Sequence, residues 1–167
     1  MNIIVPYYLF PALDNTYDNR IRVNPNLDIS ELQMYQTLAH EGVPGHMYQT
    51  NYKMQHAINP WRSTINLLGF TEGYAMYSEL MALQYLPNAS EDMITAFQLA
   101  TILDYAAPTM LDINIHYNGW TVQDLMTYYQ NRGRIVDEET AQMMYTQLQA
   151  TPGIYLSYGV GLLEVLN

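Results

Sequence analysis

Apolar side chains recur at every third or fourth position along most of this chain, the spacing that places them on one face of a helix. Most of these segments begin after Ser, Thr or Asp and end before proline or glycine, residues that commonly start and stop helices. We expect Pro108 to kink the long fourth helix and two glycines to weaken the last one. The pattern predicts helices over about 30–41, 46–57, 71–86, 90–116, 121–131, 137–151 and 155–166.

Only the first 25 or so residues suggest strands. Ile3–Leu9 and Arg20–Val23 flank a loop rich in Asp and Asn, which favour turns. The predicted fold class is therefore mainly α, with a small N-terminal β-hairpin. We predict a single domain over 1–167, divided into a strand and loop region, 1–28, and a helical region, 29–167.

Composition narrows the possible partners and metal ligands. A net charge of -10 with only six Lys and Arg makes nucleic acid a poor partner. The chain has no cysteine, so any metal ion must be held by imidazole and carboxylate groups. No apolar run approaches membrane-spanning length, and the opening MNIIVPYYLF lacks the basic segment and cleavage site of a signal peptide. These features do not assign the protein to a cellular compartment.

The most informative motif is an H-E-x-x-x-x-H run from His40 to His46. In the related H-E-x-x-H motif, histidines at i and i+4 share a helix face and the glutamate acts as general base. Six residues rotate a side chain by roughly 240°, so a straight helix would point these two histidines apart. Pro44 and Gly45 can break the helix and return His46 to a shared metal ion, with Glu41 as the base. Alternatively, His40 only meets the helix dipole and the proline and glycine only form a turn.

This H-E-G-x-P-G-H run resembles the bacterial DUF885 family, whose members look like distant relatives of zinc metallopeptidases. Three further blocks resemble family segments in the same order, at 69–77, 112–116 and 152–161. The chain departs from the usual family residues at Pro108, Asn114 and Ile154, which puts substrate contacts in doubt more than the metal. Because family members are usually several hundred residues long, the resemblance implies that 1–167 is the C-terminal, catalytic part of a longer protein.

A third metal ligand is expected from the third predicted helix. Glu72 and Glu79 are seven residues apart, so they share a face but stand roughly 10 Å apart along the axis, and only one can reach the metal. We choose Glu72, because it matches the family glutamate and because Gly73 beside it permits close packing. Alternatively, Glu72 is only an acidic residue placed at a helix N-terminus, where the helix dipole favours negative charge. Glu79 would hydrogen-bond a ligating imidazole, or else lie on a solvated face.

Two residues in the later blocks are candidates for stabilising negative charge on a reacting carbonyl oxygen. These are His116 and Tyr158, although a histidine on an apolar segment and a tyrosine among many are often structural. Asp112 precedes His116 by four residues and is close enough on one helix face to orient its ring.

The resulting hypothesis is a zinc-dependent hydrolase of the gluzincin type. Zn²⁺ is its expected cofactor, Glu41 its general base and a peptide the substrate that the resemblance implies. The alternatives are a non-catalytic helical domain that binds a peptide or protein, and an inactive fragment whose partner is the N-terminal half of the same protein.

Overall fold

Helices account for most of the computed structural model, which describes residues 5–12, 14–63 and 65–167. The predicted class, mainly α with a small N-terminal hairpin, is confirmed. Two short 3₁₀ segments, Pro60–Ser63 and Leu83–Tyr85, connect longer elements. In chain order the strands and α-helices are β1 Tyr7–Leu9, β2 Arg20–Arg22, α1 Glu31–Glu41, α2 His46–His56, α3 Leu68–Ala82, α4 Glu91–His116, α5 Val122–Gln130, α6 Glu138–Ala150 and α7 Ile154–Leu166.

Side-chain caps fix the starts of several helices where the sequence predicts them. Ser30 accepts a hydrogen bond from the backbone N–H of Gln33, and the Gln33 side chain accepts one from the Ser30 backbone, which completes a capping box before α1. Thr121 and Asp124 make the same reciprocal pair before α5. These boundaries depend on residues three apart, so the sequence alone is enough to place them.

The predicted start of the third helix is wrong. Helix α3 begins at Leu68 and not at Thr71, and no side chain caps its N-terminus. Thr71 therefore lies inside the helix, where its hydroxyl donates to the carbonyl oxygen of Leu67 or to the side chain of Asn66. Pro108 does not end helix α4, which runs as one helix from Glu91 to His116.

The N-terminal hairpin is short and antiparallel. Strand β1 pairs with β2 so that Tyr8 lies opposite Ile21. Both strands are shorter than predicted, and Ile3 and Ile4 lie outside the described residues.

The contact between α3 and α7 holds the core together. A side chain on Gly73 would overlap the backbone of Gly161, and one on Gly161 would overlap the carbonyl oxygen of Gly69. Gly161, one of the two glycines that should weaken α7 locally, is therefore the point at which the two backbones meet, whereas a side chain on the other, Gly159, would overlap the Thr109 side chain of α4. One buried apolar cluster joins these two helices, and a second lies among α4, α5 and α6; their members are Met76, Leu80 and Leu162, and Leu111, Ile115, Leu125, Tyr129, Ala141 and Leu148.

No helix within the described ranges has both the length and the apolar character needed to cross a membrane.

Candidate metal centre

A tight turn at 42–45 brings His40 and His46 together. Helix α1 ends at Glu41 and α2 begins at His46, with a cis peptide bond between Val43 and Pro44. The N–H of Gly45 donates to the carbonyl oxygen of Ala39 at 3.0 Å, and a side chain at Gly45 would overlap the His40 carbonyl oxygen. The two imidazole rings meet edge to face, with their centroids 4.6 Å apart. The break therefore brings together two histidines that a straight helix would separate.

Glu72 on α3 approaches both histidines with a single oxygen. Its Oε2 lies 3.4 Å from Nε2 of His40 and 3.5 Å from Nε2 of His46. These separations exceed the usual range for an N–H···O hydrogen bond. They match the edge of about 3.3–3.6 Å between two ligands of a tetrahedral zinc ion with bonds of about 2.0–2.2 Å. Oε2 of Glu72 is buried and has no hydrogen-bond partner among the described residues, so this donor set fits a divalent cation.

Glu79 holds the opposite side of the His40 ring. Nδ1 of His40 and Oε1 of Glu79 are 2.5 Å apart, and both residues are buried. Because Nδ1 is held by Glu79, Nε2 on the other side of the ring is the nitrogen left to bind a metal ion. Nδ1 of His46 is also buried but has no such partner within the described part of the chain.

The carboxylates set the charges of the centre. Burial opposes the charged form of His40, but the nearby Glu72 carboxylate, the hydrogen bond to Glu79 and the charges of Glu79 and Glu41 outweigh it and raise the pKa of His40 to about 9. Burial likewise opposes the charged form of Glu72, but His40 and His46 outweigh it and lower the pKa of that carboxyl to about 2. Without a metal ion, the His40 ring is therefore protonated on both nitrogens and positively charged at neutral pH, and Glu72 is an ionised carboxylate.

Glu41 is a third carboxylate close to the histidines. Ligand atoms of His40, Glu41 and His46 all lie within 4.8 Å of one another, so Glu41 and Glu72 compete as the third donor. Oε2 of Glu41 already accepts a hydrogen bond from the backbone N–H of Tyr8 at 2.7 Å. The unpartnered oxygen of Glu72 is therefore the better-placed third donor, and Glu41 lies beside it.

The centre opens into a cleft of about 220 Å³. The Tyr158 ring from α7 lies nearly parallel to that of His40, with the centroids 6.4 Å apart. Burial, followed by the nearby Glu72 and Glu41 carboxylates, raises the pKa of Tyr158, so its hydroxyl keeps its proton. Four further residues that were not candidates from the sequence line this cleft: Tyr8, Phe10, Asn66 and Thr71. Tyr8 and Phe10 are brought there only by the packing of the N-terminal segment, whereas Thr71 precedes Glu72 directly in the chain.

His116 is not among the described residues that line this cleft. Its Nδ1 lies 2.7 Å from Oδ1 of Asp112, a contact that fixes the orientation of the ring. Asp112 is fully buried and also accepts hydrogen bonds from the backbone N–H groups of Gly153 and Tyr155 at the start of α7. The pair thus joins α4 to α7.

Fold and site together define a mainly helical domain with a buried centre of two histidines and three glutamates. The chain matches the family described as "Bacterial protein of unknown function (DUF885)" over residues 3–167, and it belongs to that family.

Among solved structures, this chain is similar to one described as "the putative lipoprotein from Colwellia psychrerythraea". The TM-score is 0.76 at 23% identity, over 99% of this chain and 28% of the other, so this chain spans little more than a quarter of that protein. This likeness shows the fold alone. No curated protein matches the chain.

Proposed function

We propose that this chain is the catalytic part of a zinc-dependent hydrolase that cleaves peptide bonds, with His40, His46 and Glu72 holding the metal ion. The observation that carries the proposal is the position of Oε2 of Glu72. This buried oxygen has no hydrogen-bond partner in the described ranges, and it lies 3.4 and 3.5 Å from the Nε2 atoms of two histidines.

The donor types favour zinc at a catalytic site. Two imidazoles and one carboxylate are common zinc ligands, and a set of three protein ligands leaves a fourth position for water. A bound Zn²⁺ would supply a Lewis acid and make water a nucleophile near neutral pH. Glu79, by accepting the Nδ1 proton of His40, keeps the metal-facing nitrogen of that ring available.

Glu41 moves the proton in this proposal. Its Oε2 is held by the N–H of Tyr8, so Oε1 is the oxygen left to take a proton from the attacking water. The same oxygen then delivers the proton to the leaving nitrogen of the peptide. This is the usual role of a glutamate directly after the first metal-binding histidine.

Tyr158 stabilises the negative charge that develops on the carbonyl oxygen. Its hydroxyl remains protonated because its pKa is raised, so it can donate a hydrogen bond from the wall of the cleft. His116 takes no part in this proposal, because its ring is bound to Asp112 and does not line the cleft.

The peptide substrate is supported by the resemblance of the H-E-G-x-P-G-H run to zinc metallopeptidases. Other amides and esters react by the same chemistry, so the substrate class needs a direct test.

The test combines metal analysis with a peptide library. Purified protein should contain one zinc ion per chain, and Glu72→Ala should lower the zinc content. Glu41→Gln should keep zinc but lower the cleavage rate by about 100-fold or more, because the amide cannot accept the proton. Glu31→Gln, an exposed change on the same helix, serves as the matched control. Equal zinc content in wild type and Glu72→Ala, or unchanged turnover in Glu41→Gln, would contradict the proposal.

A further inference from the structure

We infer that the N-terminal hairpin positions the general base, through the backbone N–H of Tyr8. This inference rests on the proposed function, since it concerns how Glu41 is held for proton transfer. Tyr8 is thus a positioning residue, and it acts through Glu41 and not on the substrate.

The first observation is the direction of the Tyr8 amide. Successive N–H groups of a strand point to opposite edges, and β1 is paired with β2 along one edge only. The Tyr8 N–H points to the other edge and donates to Oε2 of Glu41, 33 residues later in the chain, at 2.7 Å. A hydrogen bond from an amide to a carboxylate is charge-assisted and holds the acceptor in a defined orientation.

The second observation is that side chains fix the hairpin to α2. The Tyr8 hydroxyl donates to Oδ1 of Asn19 at 2.5 Å, and the same oxygen accepts from Nδ2 of Asn51 at 2.8 Å. Asn51 also donates to the carbonyl oxygen of Met47 at 2.7 Å, in the first turn of α2. Helix α2 begins with His46, so one helix supplies a proposed metal ligand and anchors the strand that orients the base.

The third observation is the close packing of β2 on the turn that follows Glu41. A Cβ atom at Gly42 would lie 3.1 Å from Cδ1 of Ile21, so the hairpin packs directly against the end of α1. Because Tyr8 of β1 pairs with Ile21 of β2, this packing also holds β1 beside the end of α1. With Oε2 held in this way, Oε1 is the oxygen of Glu41 that remains available to act as the base. Catalysis requires that a base be held within a narrow range of positions.

Amide hydrogen exchange tests the contact without any need for activity. In the metal-free wild type the Tyr8 amide should be protected, and in Glu41→Ala it should exchange about tenfold faster or more, because its acceptor is lost. The amides of Tyr7 and Leu9 face β2 and should keep their protection. Equal exchange of the Tyr8 amide in the two proteins would overturn the inference.

Turnover tests what the contact does. Tyr8→Pro removes the ring and the N–H, whereas Tyr8→Ala removes only the ring, so the comparison of these two variants isolates the donor. A proline fits here because this N–H makes no bond within the sheet. We expect kcat to be about tenfold lower or more in Tyr8→Pro than in Tyr8→Ala, with equal zinc content and KM within about threefold.

Equal kcat values in the two variants, or a change confined to KM, would overturn the positioning role. Absence of cleavage by the zinc-loaded wild type would instead overturn the proposed function, and the catalytic meaning of the contact with it. Cleavage by the wild type together with unprotected Tyr8 amides would overturn the positioning inference alone.

Discussion

Zinc binding should release a proton from His40. Burial disfavours the charged form of this imidazole, but Glu72, Glu79 and Glu41 outweigh burial and raise its pKa to about 9. A ligating imidazole must be unprotonated at the nitrogen that binds the metal. Below pH 9 zinc must therefore displace the proton that the three carboxylates hold on the ring.

The size of the effect follows from the distance between the pKa and the working pH. At pH 7 about 99% of the metal-free protein carries the His40 proton, so zinc should bind about 50-fold more weakly at pH 7 than at pH 9. The same shift affects folding of the metal-free protein. The pKa of His40 in the folded state is raised above its ordinary value of 6.5, so the stabilisation of the folded state is fully present below pH 6.5 and is lost as the pH rises through 9.

Calorimetry in two buffers with different ionisation enthalpies measures the protons released, and competition with a chelator from pH 7 to 9 measures the affinity. We expect close to one proton per zinc ion at pH 7.5. Glu79→Gln keeps an acceptor for Nδ1 but removes a charge, so it should lower the pKa of His40 and the number of protons released at pH 8. Zinc binding without proton release, and with the same affinity at pH 7 and 9, would refute the reasoning.

Three further changes test other parts of the structure. Tyr158→Phe should keep zinc but lower kcat by about 100-fold, because an oxyanion donor is lost, and a loss of less than threefold would argue against that role. Gly73→Ala should lower the free energy of unfolding by about 1–3 kcal/mol, because its methyl group would overlap Gly161. Gly69→Ala, which meets only open space, should raise the free energy of unfolding by up to about 1 kcal/mol. Denaturant titration measures both variants, and a Gly73→Ala protein as stable as Gly69→Ala would contradict the close α3–α7 contact. Asp112→Ala should lower the free energy of unfolding by about 1–3 kcal/mol, because it leaves two amides at the start of α7 without their acceptor. The change should appear as a lower Tm, and an unchanged Tm would count against this cap.

Local sequence determined the helices and the break between the histidines. The capping pairs before α1 and α5 join residues three apart, so their effect does not depend on the rest of the fold. Pro44 and Gly45 likewise act on their own turn, and the prediction that α1 stops before His46 is confirmed. Each of these features rests on sterics or hydrogen bonds within a few residues.

Packing between distant elements decided the rest of the centre. The sequence places Glu72 and Glu79 on one helix face, and only the course of α3 past α1 puts them on opposite nitrogens of the His40 ring. Likewise, the spacing of hydrophobic residues does not predict the contact of Tyr8 with Glu41, because this contact joins a strand edge to the end of a helix. Periodicity shows which face of an element is buried, whereas the close approach of α3 and α7 at their glycines determines which side chains meet.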